Sequence, residues 1–152
     1  MPLIGRENLN LAIDGLKMSM NNDVKGVYLA GLTNIIQGTP ADKGRARNNW
    51  FLSVDAPSNK VTTSASVGGG SSLSQASKLP KVVLGKKIYF TNNLPYINIL
   101  EYGGFPSPVE KGSYIKKSRS YEILSINGFS KQAPNGWVRK AVMLMQNKIR
   151  SL

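Results

Sequence analysis

The chain is 152 residues long, 41% hydrophobic and 18% charged, which suits one globular core and is too apolar for a chain that stays disordered. It contains neither histidine nor cysteine, and so lacks the commonest general base, most transition-metal ligand sets, thiolate zinc sites and any disulfide framework. Lysine and arginine number 20 against 8 aspartates and glutamates, a net charge of +12, and such a field attracts phosphate or acidic protein surfaces.

From Glu7 to Gln37 the apolar positions Leu9, Ala12, Ile13, Leu16, Met20, Val24, Val27, Tyr28 and Ile35 recur at three-and-four spacing, which predicts a long amphipathic helix over residues 6–37 with this stripe buried. Asn21-Asn22-Asp23 and Gly26 are poor helix formers and are expected to kink it, and Gly38 with Pro40 marks its end. The pattern then changes to that of strands. Residues 50–55 read as a strand, 57–59 as a turn and the β-branched run 60–67 as a second strand, a hairpin in sum.

Gly68-Gly69-Gly70-Ser71-Ser72 reads as flexible punctuation, after which Ser71 or Ser72 caps a short helix that Pro80 stops. Residues 86–91 form a further strand, so that the sheet occupies 50–91. Pro95 opens a short helix that Gly103-Gly104 ends, with Tyr96, Ile99 and Leu100 along one side. Residues 105–129 read as a variable insertion with one hairpin near Tyr121–Leu124. Residues 134–150 read as a C-terminal helix whose stripe Val138, Ala141, Val142, Met145 and Ile149 is buried, with Arg139, Lys140, Lys148 and Arg150 outward. The expected fold is a single α+β domain, 1–152, in which a small, mostly antiparallel sheet is covered on one face by the long N-terminal and the C-terminal helix.

The charge is uneven. Residues 1–56 carry six basic and five acidic residues, while residues 57–152 carry fourteen against three, for +11. Lys116, Lys117 and Arg119, with Tyr114 and Tyr121 nearby, have the basic and aromatic interleaving of single-strand nucleic-acid binders; the alternative is a solvated exterior. No fingerprint for groove reading accompanies them. No run is apolar enough to span a membrane, and residues 1–7 have no leader-like pattern. An enzyme would have to use carboxylates, lysine or a serine–lysine pair, and no two of the eight carboxylates are close enough in sequence to suggest a dyad. Neither a catalytic residue nor a cofactor or metal site is expected.

Three motifs remain. In Thr39-Pro40-Ala41-Asp42-Lys43-Gly44-Arg45-Ala46-Arg47-Asn48-Asn49-Trp50, Asp42 is expected to accept backbone N–H bonds in a turn that Gly44 allows, Arg45 to reach that carboxylate, and Trp50 to start the sheet. The second spans Tyr89 to Tyr96 and continues as Leu100-Glu101-Tyr102-Gly103-Gly104, and the third is Phe129 to Arg139. Together and in this order they resemble the tail-completion, or neck, proteins of tailed bacteriophages, which join a DNA-filled head to its tail. Lys43 stands where that pattern has threonine, and Trp137 where it has methionine; neither breaks the turn chemistry.

The resemblance implies a non-enzymatic virion subunit, assembled in the bacterial host cytoplasm into a ring, commonly hexameric. Its partners would be its own copies, the head connector or stopper, and tail-tube or tail-terminator proteins. Genomic DNA would make only transient backbone contact. In such a ring Tyr96, Tyr102 and Phe105 would anchor the seams and Glu101 would pair with a neighbour's Lys131 or Arg139. Read from the residues alone, Tyr96 and Leu100 can instead pack in their own core and Glu101 can cap a local turn. The rival function is a basic, non-sequence-specific nucleic-acid-binding protein.

Overall fold

The structure, a computed structural model, describes residues 4–152. Helix α1 runs without a break over Ile4–Gly38, 35 residues, or roughly 50 Å. The expected break at Asn21 is absent because its side chain is spent elsewhere. Asn21 is buried; its Nδ2 donates to the carbonyl of Lys81 at 2.8 Å and its Oδ1 accepts from the N–H of Val83 at 2.7 Å. A residue poor in helix propensity thus serves as the peg that ties the 81–84 loop to the helix, and tertiary bonding overrides local preference.

Asn21 also divides α1 in two. Beyond it Val27, Leu32, Ile35 and Ile36 are buried in the core with Trp50, Leu52, Val83, Leu94, Leu100 and Trp137. Before it every residue from 5 to 20 is exposed, so the expected burial of Leu9, Ile13, Leu16 and Met20 fails: none of the described residues covers them. Helix α4, Val138–Arg150, packs antiparallel on the buried half. Gly31 is what lets it approach, since a Cβ there would collide with the Met145 side chain, and one at Gly38 would lie 2.9 Å from the Trp137 ring.

The sheet is smaller and differently wired than expected. Strand β1, Phe51–Val54, pairs antiparallel with β2, Ile88–Thr91, in the register Phe51↔Thr91 to Val54↔Ile88. Residues 60–67 form no strand, and the expected hairpin does not exist. The physical reason is a substitute ladder built from side chains. Asn49 offers Nδ2 to the carbonyl of Thr62 at 3.0 Å and accepts the Thr62 N–H on Oδ1 at 2.8 Å, as a strand neighbour's backbone would. Asn48 grips the Ser66 carbonyl at 2.7 Å, and Arg47 the Val67 carbonyl at 2.6 Å. Extended, β-branched residues are therefore held extended without a strand partner.

Gly68–Ser72 is likewise more than punctuation, since Gly69 and Ser72 are buried in it. Gly69 takes φ 71° and leads into helix α2, Gly70–Leu73, and a 3₁₀ turn, Ser74–Lys78. The helix has no side-chain cap; the fully buried Ser72 hydroxyl instead accepts the Trp50 N–H at 2.9 Å. Helix α3, Ile97–Tyr102, follows two residues after Pro95. The 105–129 excursion carries hairpin β3–β4, Ser113–Ile115 with Ser120–Glu122, and β5, Ser125–Ile126, pairs with β6, Phe129–Ser130, across an Asn127-Gly128 turn in which both residues have positive φ. The α+β class holds, with three separate two-stranded antiparallel ladders in place of one sheet.

Removing the Asn49 amide leaves the Thr62 N–H and the Thr62 and Arg45 carbonyls without their partner, so Asn49→Ala is expected to cost about 1–3 kcal/mol. Limited proteolysis should then cut within 60–67 faster than in the unaltered chain, and an unchanged cleavage pattern would show that the segment is held by other means.

Candidate functional site

The first motif is tied to the second through Asn92 and Ala46 and to the third through Gln132 and Ala41, and the second and third meet at Glu101. Its side chain is 7% exposed. One carboxylate oxygen accepts the N–H groups of Trp137 at 2.8 Å and Val138 at 2.9 Å. The other accepts the Arg139 N–H at 3.0 Å and its Nε–H at 2.9 Å. These are the first backbone donors of α4, which no residue of its own caps. An anion from α3 thus satisfies orphan helix N–H groups and sits at the positive end of the helix dipole. Gly136, at φ 78°, passes so close that any Cβ would strike the Glu101 carbonyl.

Burial is the largest single influence on the Glu101 carboxyl and raises its pKa, but the hydrogen bonds from the Arg139, Trp137 and Val138 backbone and from the Arg139 guanidinium together outweigh it. The net result lies below the ordinary value of 4.5. Arg139 is also bound to the Glu101 carbonyl through Nη2 at 3.0 Å, and its guanidinium stacks 4.7 Å from the centre of the Tyr102 ring. The pairing expected across a subunit seam is therefore made within one chain. Glu101 has no lone pair left to offer a neighbour, and among the described residues Glu101–Arg139 is the single ion pair. Lys131 is exposed and takes no part in it.

The first motif holds together through different residues than expected. Asp42 and Arg45 are exposed and their side chains make no hydrogen bond among the described residues. Gly44 does take positive φ, 83°, and a Cβ there would strike the Ser66 carbonyl. The clamp is Arg47, whose guanidinium donates to the Gln37 and Thr39 carbonyls at 2.9 and 2.8 Å and so closes the C-terminus of α1. Trp50 is buried one residue ahead of β1, with its indole N–H on the Thr39 hydroxyl at 2.9 Å. Trp137 donates likewise to the Ile35 carbonyl at 2.9 Å. Gln132 pairs with both backbone groups of Ala41, at 2.9 and 3.1 Å, and Asn92 donates to the Ala46 carbonyl at 3.0 Å.

The remaining candidates lie at the surface. Tyr96 and Phe105 are half-buried and line an open cleft of about 600 Å³ beside Asp42, Lys43 and Arg45. Tyr102 is 61% exposed. Lys116, Lys117 and Arg119 occupy the tip of the β3–β4 hairpin, where Arg119 takes φ 53°. Below the tip Tyr114 and Tyr121 contact each other edge to face, centroids 5.3 Å apart, and Lys111 sits 5.2 Å over Tyr121. Lys111 thus covers part of one face of Tyr121, while both tyrosines stay more than half exposed.

The sequence gives little signal for Arg47, Asn48 and Asn49 beyond their place in the first motif, because a carboxamide that substitutes for backbone has no spacing rule. No group of His, Cys, Asp and Glu among the described residues could hold a metal ion, and no helix there is long and apolar enough to cross a membrane. The chain matches no protein-family model, no curated protein and no solved structure.

Because the folded pKa of Glu101 is lowered, its stabilising contribution is complete above the ordinary glutamate value and is lost as pH falls through the lower folded value. Glu101→Gln should cost about 2–4 kcal/mol near neutrality and flatten the fall in melting temperature below pH 4.5; an acid limb identical to that of the unaltered chain would assign it to other carboxylates. Gly136→Ala is expected to cost about 2–3 kcal/mol in chemical denaturation through its positive φ and its collision with Glu101.

Proposed function

We propose that the chain is a structural virion protein of a tailed bacteriophage, a subunit of a hexameric ring in the neck that joins head connector to tail. The observation that carries this reading is that the three resembling segments, 39–50, 89–104 and 129–139, are joined pairwise by side-chain bonds, Asn92 to Ala46, Gln132 to Ala41 and Glu101 to the Trp137 N–H. Arg47, Asn48, Asn49, Asn92, Glu101 and Gln132 within these segments are engaged by the chain's own backbone, which supports a role in shape and fit rather than in bond chemistry. The partners on this reading are copies of the chain, the connector or stopper, and tube or terminator proteins, with no more than passing contact to DNA phosphates.

One observation favours a second reading. Three cations at the tip of an exposed hairpin, on a chain of net charge +12, are what a non-sequence-specific nucleic-acid binder would present.

The two readings part in one set of measurements. Mass spectrometry of purified phage particles should find the polypeptide at about the copy number of a six-membered ring, and its deletion should leave tail-less heads and free tails. Neutralising Lys116, Lys117 and Arg119 should leave that assembly intact. If the polypeptide is missing from particles, and the isolated chain binds DNA with a salt slope that the triple variant lowers by about 2–3, the nucleic-acid reading replaces the neck.

A further inference from the structure

We infer that the exposed arm of α1, residues 5–20, docks on a second copy of this chain, in the apolar groove that this copy's α4 forms with Tyr28 of α1, Trp50 and Phe90 of β2. The inference rests on the ring reading above and names the contact that would build the ring.

The arm presents large apolar side chains to solvent over four turns: Leu9 is 60% exposed, Leu16 62% and Met20 50%. Leu9, Ile13, Leu16 and Met20 are spaced four, three and four residues apart, the seam with which one helix packs on another. This seam continues the face on which Gly31 and Gly38 meet Met145 and Trp137. α4 runs antiparallel, with Trp137 at Gly38 and Met145 at Gly31, so it ends near the middle of α1 and the seam goes on uncovered. A bare helix of this length is marginal in water, and its apolar face calls for a partner surface.

The same chain carries such a surface without an occupant. A groove of about 340 Å³ is walled by Tyr28, Trp50 and Phe90 on one side and by Val142, Met145 and Ile149 on the other. Val142 and Ile149 remain 40% and 38% exposed although they lie on the apolar side of α4. The lengths agree: Leu9 to Met20 and Val138 to Ile149 each span eleven helical rises, about 16 Å.

The arm cannot reach its own groove. α1 is one unbroken helix, and the groove lies beside its far half, so the arm leads away from it. Charge also favours a copy of this chain. The arm's Arg6, Glu7, Asp14 and Lys17 sum to zero, whereas residues 57–152 carry +11, so the arm approaches a basic body without the repulsion that two bodies feel. Arm and groove are different surfaces, and their contact is heterologous: it propagates head to tail and closes into a ring when the rotation allows.

The absence of cysteine permits a direct test. Leu16→Cys and Val142→Cys are prepared separately, mixed, and treated with a short bismaleimide. Cross-linking is expected between unlike copies in the mixture and not in Leu16→Cys alone. Leu16→Asp changes an exposed position, so the chain should stay folded by circular dichroism while the assembled species becomes monomer in light scattering and the melting temperature no longer rises with concentration.

Cross-links in Leu16→Cys alone would mean arm-to-arm pairing and overturn the inference. So would rings that form without mixed cross-links, a result that leaves the ring reading standing. A chain that stays monomeric and unlinked overturns the docking too, and leaves the neck to the particle assay. Arm amides slowed in hydrogen exchange only after a head or tail protein is added would assign the seam to that partner instead. Mixed cross-links in a polypeptide missing from particles would uphold the docking and remove the neck.

Discussion

A single buried carboxylate fixes how the halves of this protein meet. Glu101 belongs to a six-residue helix that could not hold a position alone, yet it binds three successive backbone donors and the guanidinium of α4. The direction of α4 is thereby set by α3, and α4 in turn lies along the buried half of α1. Desolvating the charge is unfavourable by itself; it is tolerated because donors surround it. The same logic explains Gly136, the one residue type that leaves room for the carboxylate's own backbone.

Around this junction the chain economises on sheet. Three two-stranded ladders would be marginal alone, and the long connections between them are secured by side chains that bond to backbone: Asn21 to the 81–84 loop, Asn48 and Asn49 to 62–66, Arg47 to the end of α1, Gln132 to Ala41. Each reaches across at least eight residues of sequence, so the body is cross-braced by polar contacts as well as by its apolar core.

The helices were legible in the sequence because three-and-four spacing and a glycine–proline stop are local signals; α1, α3 and α4 fall close to where that spacing puts them. The 60–67 segment misled because Val61, Thr62 and Thr63 favour extended backbone whether the partner is a strand or an asparagine, and nothing local distinguishes the two. The 125–130 hairpin was within reach, since Asn127-Gly128 between Ile126 and Phe129 is a strong two-residue turn signal. At Glu101 the ring resemblance implies a pairing with a neighbour's Lys131 or Arg139, whereas the Arg139 pair is made within one chain. Distance in sequence carries no information on whose arginine a carboxylate meets. The outer half of α1 was read as buried from its stripe, and a stripe records that a partner is required without saying in which chain it resides.

The uninterrupted course of α1 has a mechanical consequence. With one half clamped and the other standing clear, the helix is a lever about 24 Å long beyond its fulcrum at Asn21, and a tilt of about 5° there sweeps the tip by about 2 Å. Met145, a pliable side chain, lies over Gly31 within the clamped half, so the fulcrum itself rests on the bonds of Asn21 to the 81–84 loop. A small rotation about Asn21 therefore displaces the tip far more than the body, which keeps its form.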